Sequence, residues 1–462
     1  MNNNMEKRYG LPTAICMVVG IVIGSGIFFK TESVLSFTGG NVLTGVLSLA
    51  IIGVIMFFCA YAFSLLAQKH SKVNGLVDYA EATCGEKYAY YLGWFVTFIY
   101  TPGITSVLGW LSARYFCALF GFDAASGETL AVAALILVGG AFFNALYPKL
   151  AGKTQIATTV IKFIPLVLMA VVGIVAGLAN GQLIDNFNNA VTTDVTAFSG
   201  FTASVVSLAF AFEGWIFVTS INSELRDSKK NLPKALILGG IIIVAIYVFY
   251  YLGVCGAIPV DTLIKSGSTE AFKHLFGNLF GTLLSIFIAI SCLGTTNGLI
   301  MGNCRNIYSL AVRGHGPKPK MFAHIDETTN MPLNSSFFGS LLSILWLVYF
   351  FGANLSSTNW FGFFSFDSSE LVIVALYVMY IPIFIKMYKD KEHNVFKRYI
   401  VPTFAIFSCL FLIGCTIYSH GIAKYQAAAA EGKFAFPVLS FAIVASLILL
   451  LGKVFYNSGD RK

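Results

Sequence analysis

Residues 11–29 read LPTAICMVVGIVIGSGIFF, a stretch with no charged side chain that ends in Gly24-Ser25-Gly26-Ile27-Phe28. About 20 predominantly apolar residues are enough to span a bilayer as a helix. Two glycines and a serine within three residues weaken a helix inside that span. Two readings stand side by side. The small residues can mark a close helix–helix contact, or they can mark an unwound break. In the second case a new half-helix starts near Ser25, and its free N–H groups and dipole suit a carboxylate.

The rest of the chain sets the class. Of 462 residues, 57% are hydrophobic and 11% charged, against roughly 25% charged in an ordinary soluble domain. Twelve candidate spans follow: 11–29, 42–68, 88–120, 130–147, 154–178, 198–221, 235–258, 279–312, 333–352, 360–387, 398–419 and 434–455. The expected fold is an all-α integral membrane protein forming a single transmembrane domain over 1–462. The formal charge of +8 does not point to nucleic acid, because the basic residues sit in short loops. With the N-terminus inside, 22 of the 30 Lys and Arg fall on the inner side and five on the outer. Three more, Arg114, Lys162 and Arg305, fall within or at the ends of spans. That asymmetry places both termini in the cytoplasm. The short polar N-terminus leads straight into a span, so no cleaved signal peptide is expected. The nine cysteines form no Cys-x-x-Cys pair, and the histidines lie in loops or at span ends. No metal site and no cofactor are expected.

A second interruption falls five spans after the first, at Phe210-Ala211-Phe212-Glu213-Gly214-Trp215. Glu213 is a carboxylate inside a span, which is costly and a functional candidate by default. It could reach a polar cavity or pair for packing alone. An unwound segment would expose carbonyl groups as acceptors for an ammonium. A pair of interrupted helices at corresponding positions of two halves points to a transporter site. It implies a five-plus-five inverted repeat, with repeats over 11–178 and 198–387 and two accessory helices over 398–455. The tails are 1–10 and 456–462.

Lys162 lies inside span five. It either snorkels to an end or stands as a fixed ammonium in the bundle. There it could bind carbonyls freed by the break in span one, carry a transported proton, or replace a sodium ion. Asn297 and Arg305 in span eight are weaker signals. Arg305 has a gating or a lipid-facing role open to it. Asp367 and Glu370 read as caps of span ten or parts of an outer gate. The segment around Asn186, Asn188 and Asn189 reads as an external loop.

Gly-Ser-Gly-Ile-Phe in span one, Phe-Ala-Phe-Glu-Gly-Trp in span six, Lys162 before Phe-Ile-Pro-Leu, and Asn231-Leu232-Pro233-Lys234-Ala235 together resemble the amino acid–polyamine–organocation superfamily. The nearest branch is the L-type amino acid transporters and their bacterial serine/threonine and alanine/serine/cysteine exchangers. The resemblance implies a leucine-transporter-type fold. It implies a substrate carboxylate at Ser25, Gly26 and Ile27, beside Gly24, and a substrate ammonium at the carbonyls of Ile21, Phe210, Ala211 and Glu213, beside Gly214. Phe210 matches the family's aromatic gate, and Lys162 matches the lysine that stands where sodium-coupled relatives hold an ion. Asn297 is carried as a coupling candidate. The loop from Gly121 to Glu128 lacks the cysteine that links eukaryotic relatives to a heavy subunit, so no such partner is expected. Glu213 stands where relatives often have Gly or Asp.

The expected function is sodium-independent transport, an exchange of small neutral L-amino acids by alternating access in the cell membrane. The alternatives are a proton-coupled symporter, a cationic amino acid or polyamine carrier, and an amino acid sensor with a transporter fold. An intramembrane enzyme would need a dyad or a metal-binding His pair that the sequence does not place in the bundle.

Overall fold

The structure is a computed structural model. It describes residues 6–24, 26–70, 74–189 and 197–456. Eleven helices among them are long and apolar enough to cross a membrane. These are α1 (Leu11–Phe28), α2 (Val42–Lys69), α3 (Glu86–Ala118), α4 (Gly127–Leu146), α5 (Pro148–Ala179), α6 (Ala197–Glu224), α7 (Ser228–Ala257), α8 (Ile286–Ala311), α9 (Leu333–Leu355), α11 (Phe396–Ala430) and α12 (Pro437–Val454). The twelfth, α10 (Leu371–Met387), is apolar but shorter. With it the chain has the expected twelve spans.

Burial sorts the bundle into inner and outer helices. The apolar windows of α3, α6, α8 and α1 are 94%, 89%, 72% and 71% buried, and no other window exceeds 50%. These four form the centre. The outer helices turn large apolar side chains outward, such as Leu135, Val171, Leu345, Phe407 and Leu450, as a lipid-facing surface requires.

Two inner helices are broken. α1 runs as a helix over Leu11–Val22, and a second helix follows over Gly26–Phe37. α6 is α-helical over Ala197–Ala211 and tightens to a 3₁₀ helix over Trp215–Glu224. Gly214 between them has φ of +105°, a conformation only glycine adopts without strain.

Proline shapes α3. Pro102 has no N–H to offer the carbonyl of Phe98 four residues back. The backbone widens to a π-helical turn over Val96–Tyr100 just before it. The freed Phe98 carbonyl accepts the indole N–H of Trp346 in α9 at 2.8 Å.

Three expectations need correction. Span ten does not begin at 360. Residues 359–370 are mostly non-helical, since Asn359 Oδ1 accepts the N–H groups of Phe361 and Gly362, and Asp367 Oδ1 accepts that of Ser369. These local turns compete with helix. Span eleven runs on to Ala430 through an alanine-rich end. The Asn186 segment is a short helix, Gln182–Asn188. Asn186 is buried and donates to the carbonyls of Cys255 and Ile258 at 2.6 and 2.9 Å.

That amide ties the short helix after α5 to the end of α7, next to where glycines bring the α5 and α7 backbones together. A Cβ on Gly177 would stand 2.6 Å from the Gly256 carbonyl oxygen, and one on Gly173 would stand 2.8 Å from Gly253 Cα. Small residues allow such an approach in a membrane. Gly177→Val should destabilise the protein by about 1–3 kcal/mol through overpacking. A thermal melt of the purified variant would show it, and an unchanged midpoint would mean that this contact is not tight.

Candidate functional site

The two breaks cross at the centre of the bundle. A Cβ on Gly26 would come within 2.9 Å of Ala211 Cα, and one on Gly214 would clash with the Ile21 side chain. Each break therefore needs a glycine because the other break lies against it. Tyr247 of α7 ties the two together. Its hydroxyl lies 2.8 Å from the Val22 carbonyl and 2.9 Å from the Ala211 carbonyl.

Lys162 is fully buried. Its ammonium donates to the carbonyls of Gly20 at 2.7 Å and Ile23 at 2.6 Å, and to Thr295 Oγ1 of α8 at 3.1 Å. A lysine ammonium has three donors, and all three are used. Lys162 thus binds the carbonyl groups at the end of the first half of α1, and it does not reach toward a membrane surface.

A cavity of about 20 Å³ lies between the breaks. That is room for one water. Its walls are Ile21, Val22, Gly24 and Gly26 from α1, Phe210, Glu213 and Gly214 from α6, Ile104 and Leu108 from α3, and Thr295 and Leu299 from α8. Of the expected residues, Ile21, Gly24, Gly26, Phe210, Glu213 and Gly214 come together here. Ile27 and Ala211 are buried close by. Ser25 lies outside the described residues. The Ala211 carbonyl already accepts from Tyr247, and the Phe210 carbonyl accepts the Glu213 N–H at 3.3 Å.

Asn297 does not line the cavity. Its amide donates to the Ala151 carbonyl and Gln155 Oε1, both at 3.2 Å, and its oxygen accepts from Asn144. It joins α4, α5 and α8. Thr295, two residues earlier, is the α8 residue at the site. Two residues turn a helix by roughly 200°, so the two side chains face opposite ways.

Glu213 is buried at 5% exposure. Its Oε1 accepts a hydrogen bond from the Tyr100 hydroxyl of α3. Its Oε2 is buried and makes no well-formed hydrogen bond among the described residues, with the Gly214 N–H and the Tyr377 hydroxyl turned toward the carboxyl group.

Charged groups close both ends. On one side, Lys30 Nζ sits 5.6 Å from the centre of the Phe210 ring and 3.0 Å from Glu370 Oε1. His420 Nε2 of α11 lies 2.7 Å from Glu370 Oε2. Glu370 therefore pairs across helices, and its side chain makes no capping bond to α10. On the other side, Arg305 is fully buried. Its guanidinium binds both carboxylate oxygens of Glu224 and the Met301 carbonyl. A lipid-facing role for Arg305 is thereby overturned. Arg8 Nε stands 3.4 Å from the same carboxylate. The N–H groups of Arg8 and Tyr9 donate to the Glu224 carbonyl at 2.9 and 3.1 Å, and the Arg226 N–H donates to that of Tyr9.

Sequence reasoning missed Glu224, Tyr100, Tyr247, Ile104, Leu108 and Leu299. Glu224 reads as a solvated helix end unless it is paired in advance with Arg305. The others are ordinary apolar or aromatic residues of spans.

Comparison with known proteins completes the description. The chain is 26% identical to the serine/threonine exchanger SteT of Bacillus subtilis (strain 168) over 427 residues, covering 90% of this chain and 92% of that one. It is 26% identical to the mouse b(0,+)-type amino acid transporter 1, covering 91% and 85%. It is 25% identical to the human cystine/glutamate transporter, covering 90% and 81%. The fold resembles that of MhsT, solved in complex with L-phenylalanine, with a TM-score of 0.62, 14% identity, and coverage of 90% of this chain and 99% of that one. The likeness supports the leucine-transporter-type architecture with its broken first and sixth helices. Residues 9–452 match the profile of the amino acid permeases, and the chain belongs to that family.

Proposed function

We propose that this chain is a sodium-independent exchanger of small neutral L-amino acids, a carrier and not an enzyme. The substrate sits between the crossed breaks, with its carboxylate at the start of the Gly26–Phe37 helix and its ammonium at carbonyls of Ile21 and the Phe210–Glu213 turn. Ser25 and Ile27 complete the carboxylate side. The observation that carries this reading is the cavity itself, enclosed by both breaks at once. Its Ile21, Val22, Ile104, Leu108 and Leu299 walls suit a small apolar side chain.

Sodium independence rests on Lys162. Its ammonium already holds three oxygens between α1, α5 and α8, and a fixed positive charge there repels a sodium ion. Exchange is supported by the likeness to a protein named a serine/threonine exchanger. Alternating access follows from opening one closure at a time: Phe210, Lys30, Glu370 and His420 outside, or Arg8, Glu224 and Arg305 inside. Repeats over 11–178 and 198–387 rock about the site, and 398–455 lies outside the repeats and lends His420 to the outer closure. The excess of basic residues on one side supports cytoplasmic termini, in a protein of the cell membrane on this reading. With no cysteine in the loop between α3 and α4, no disulfide-linked subunit joins it there.

The direct test is uptake of radiolabelled amino acids into proteoliposomes. Uptake that requires internal amino acid and is indifferent to sodium is expected. Uptake into empty vesicles driven by a sodium gradient would defeat the reading.

Lys162→Ala should slow exchange roughly tenfold or more, because two or three charge-assisted hydrogen bonds at the α1 break are lost. Wild-type rates from the folded variant would remove Lys162 from the mechanism. Arg305→Met should cost up to about 3–5 kcal/mol by leaving buried Glu224 with Arg8 as its one remaining cation among the described residues. Adding Glu224→Gln should recover much of that loss in a melt. If the double variant is as unstable as the sum of the singles, the two groups are not coupled.

A further inference from the structure

Three buried carboxyl groups, Glu213, Glu224 and Glu370, lie at and on either side of the proposed substrate site. Glu224 faces Arg305 and Arg8, and Glu370 faces Lys30 and His420. Glu213 faces no cation among the described residues. α3 presents Tyr100 to it, α10 presents Tyr377 and Tyr380, and α2 presents Cys59. Among the described residues, α1 and α8 present Ile21, Val22, Gly24, Gly26, Thr295 and Leu299 to the shared cavity, none of them charged. Lys162 is not available, since its three donors are taken. One carboxyl oxygen, Oε2, makes no well-formed hydrogen bond among the described residues, with only the neutral Gly214 N–H and Tyr377 hydroxyl turned toward the carboxyl group, beside a cavity with room for a single water.

An unpaired charge enclosed in such a place is costly. A neutral amino acid does not relieve it. The zwitterion brings one ammonium and one carboxylate, and on the reading above these match carbonyl and N–H groups of the breaks. Nothing remains to neutralise Glu213 when Phe210 closes over the site. We propose that a proton enters with each neutral amino acid and is held on Glu213 Oε2 while the site is closed.

The proton comes from water on the side where the substrate enters and returns to water where it leaves. No bond other than O–H forms or breaks. Oε1 keeps the Tyr100 hydrogen bond. The protonated Oε2 becomes a donor, which a side-chain hydroxyl or the last water can accept. Glu213 is thereby a coupling residue as well as a wall of the site. The inference rests on the proposed substrate site.

Isothermal titration of the purified full-length chain in detergent tests it without relying on transport. L-alanine, L-serine and L-threonine are titrated near pH 7 in phosphate and in Tris, buffers of very different ionisation enthalpy. The difference in heat counts protons taken up on binding, by linkage. The expected result is an uptake approaching one proton per amino acid in the wild type. It should fall to none in Glu213→Gln and return in Glu213→Asp. Binding with buffer-independent heat in the wild type overturns the proposal and leaves the substrate site intact. Undiminished proton uptake in Glu213→Gln assigns the proton to another group, which also overturns it. No binding of any of the three by folded wild-type protein removes the substrate reading itself, and the proton with it.

Discussion

A helix broken inside a membrane leaves backbone carbonyl and N–H groups that no water is at hand to satisfy. Each costs several kcal/mol in an apolar surround unless the protein supplies a partner. This chain has two such breaks, and much of its centre is arranged around them. Lys162 of α5 and Thr295 of α8 serve the carbonyl groups of Gly20 and Ile23. Tyr247 of α7 serves Val22 and Ala211, one from each break. Three outer or neighbouring helices are thus fixed to the broken pair by hydrogen bonds as well as by packing. The first turn of the Gly26–Phe37 helix has no helical partners for its N–H groups, as at any helix start. On the proposed reading, that end receives the substrate carboxylate.

Much of this was legible in the sequence, for a physical reason. Spans are long apolar runs, and the breaks are glycines within them, so Gly24, Gly26 and Gly214 could be picked out singly. Lys162 and Glu213 were visible because charge is rare in a span. What could not be read is partnership. Tyr247 looks like any interfacial tyrosine until two carbonyl groups are placed beside its hydroxyl. Glu224 and Arg305 lie 81 residues apart in sequence, and each alone reads as a helix end. Asn297 attracted attention as an amide in a span, yet the helix turns Thr295 to the site and Asn297 to α4 and α5. The apolar run Trp360-Phe361-Gly362-Phe363-Phe364 reads as part of span ten, although turn chemistry at Asn359 and Asp367 keeps it out of the helix. A subtler signal was present: α3, α6 and α8 are the least apolar of the eleven long spans, which is what helices shielded from lipid can tolerate.

The closures at the two ends are ionic where an apolar seal could have served. A buried ion pair adds little net stability, because desolvation nearly offsets the attraction. That makes it a weak staple and a good latch. When an end opens, water rehydrates the separated charges and returns most of what was lost, so the open and closed forms stay close in free energy. An apolar seal of the same area would expose its surface on opening at about 25 cal/mol per Å², with no such compensation. Both latches are made in this structure, and the cavity between them holds space for one water. The two latches can therefore both be made with nothing larger than a water between them. Glu224 receives Arg305 from α8 and the backbone of Arg8 and Tyr9 from the segment before α1. Glu370 joins Lys30 of the second half-helix to His420 of α11. The inner latch thus holds the far ends of two half-helices, Leu11–Val22 and Trp215–Glu224, whose near ends are the breaks, whereas the outer latch grips Lys30 one turn beyond the break in α1. Half-helices pinned at the far end and hinged at the break can swing when the inner latch is hydrated, while Lys162 and Tyr247 keep the hinge in place.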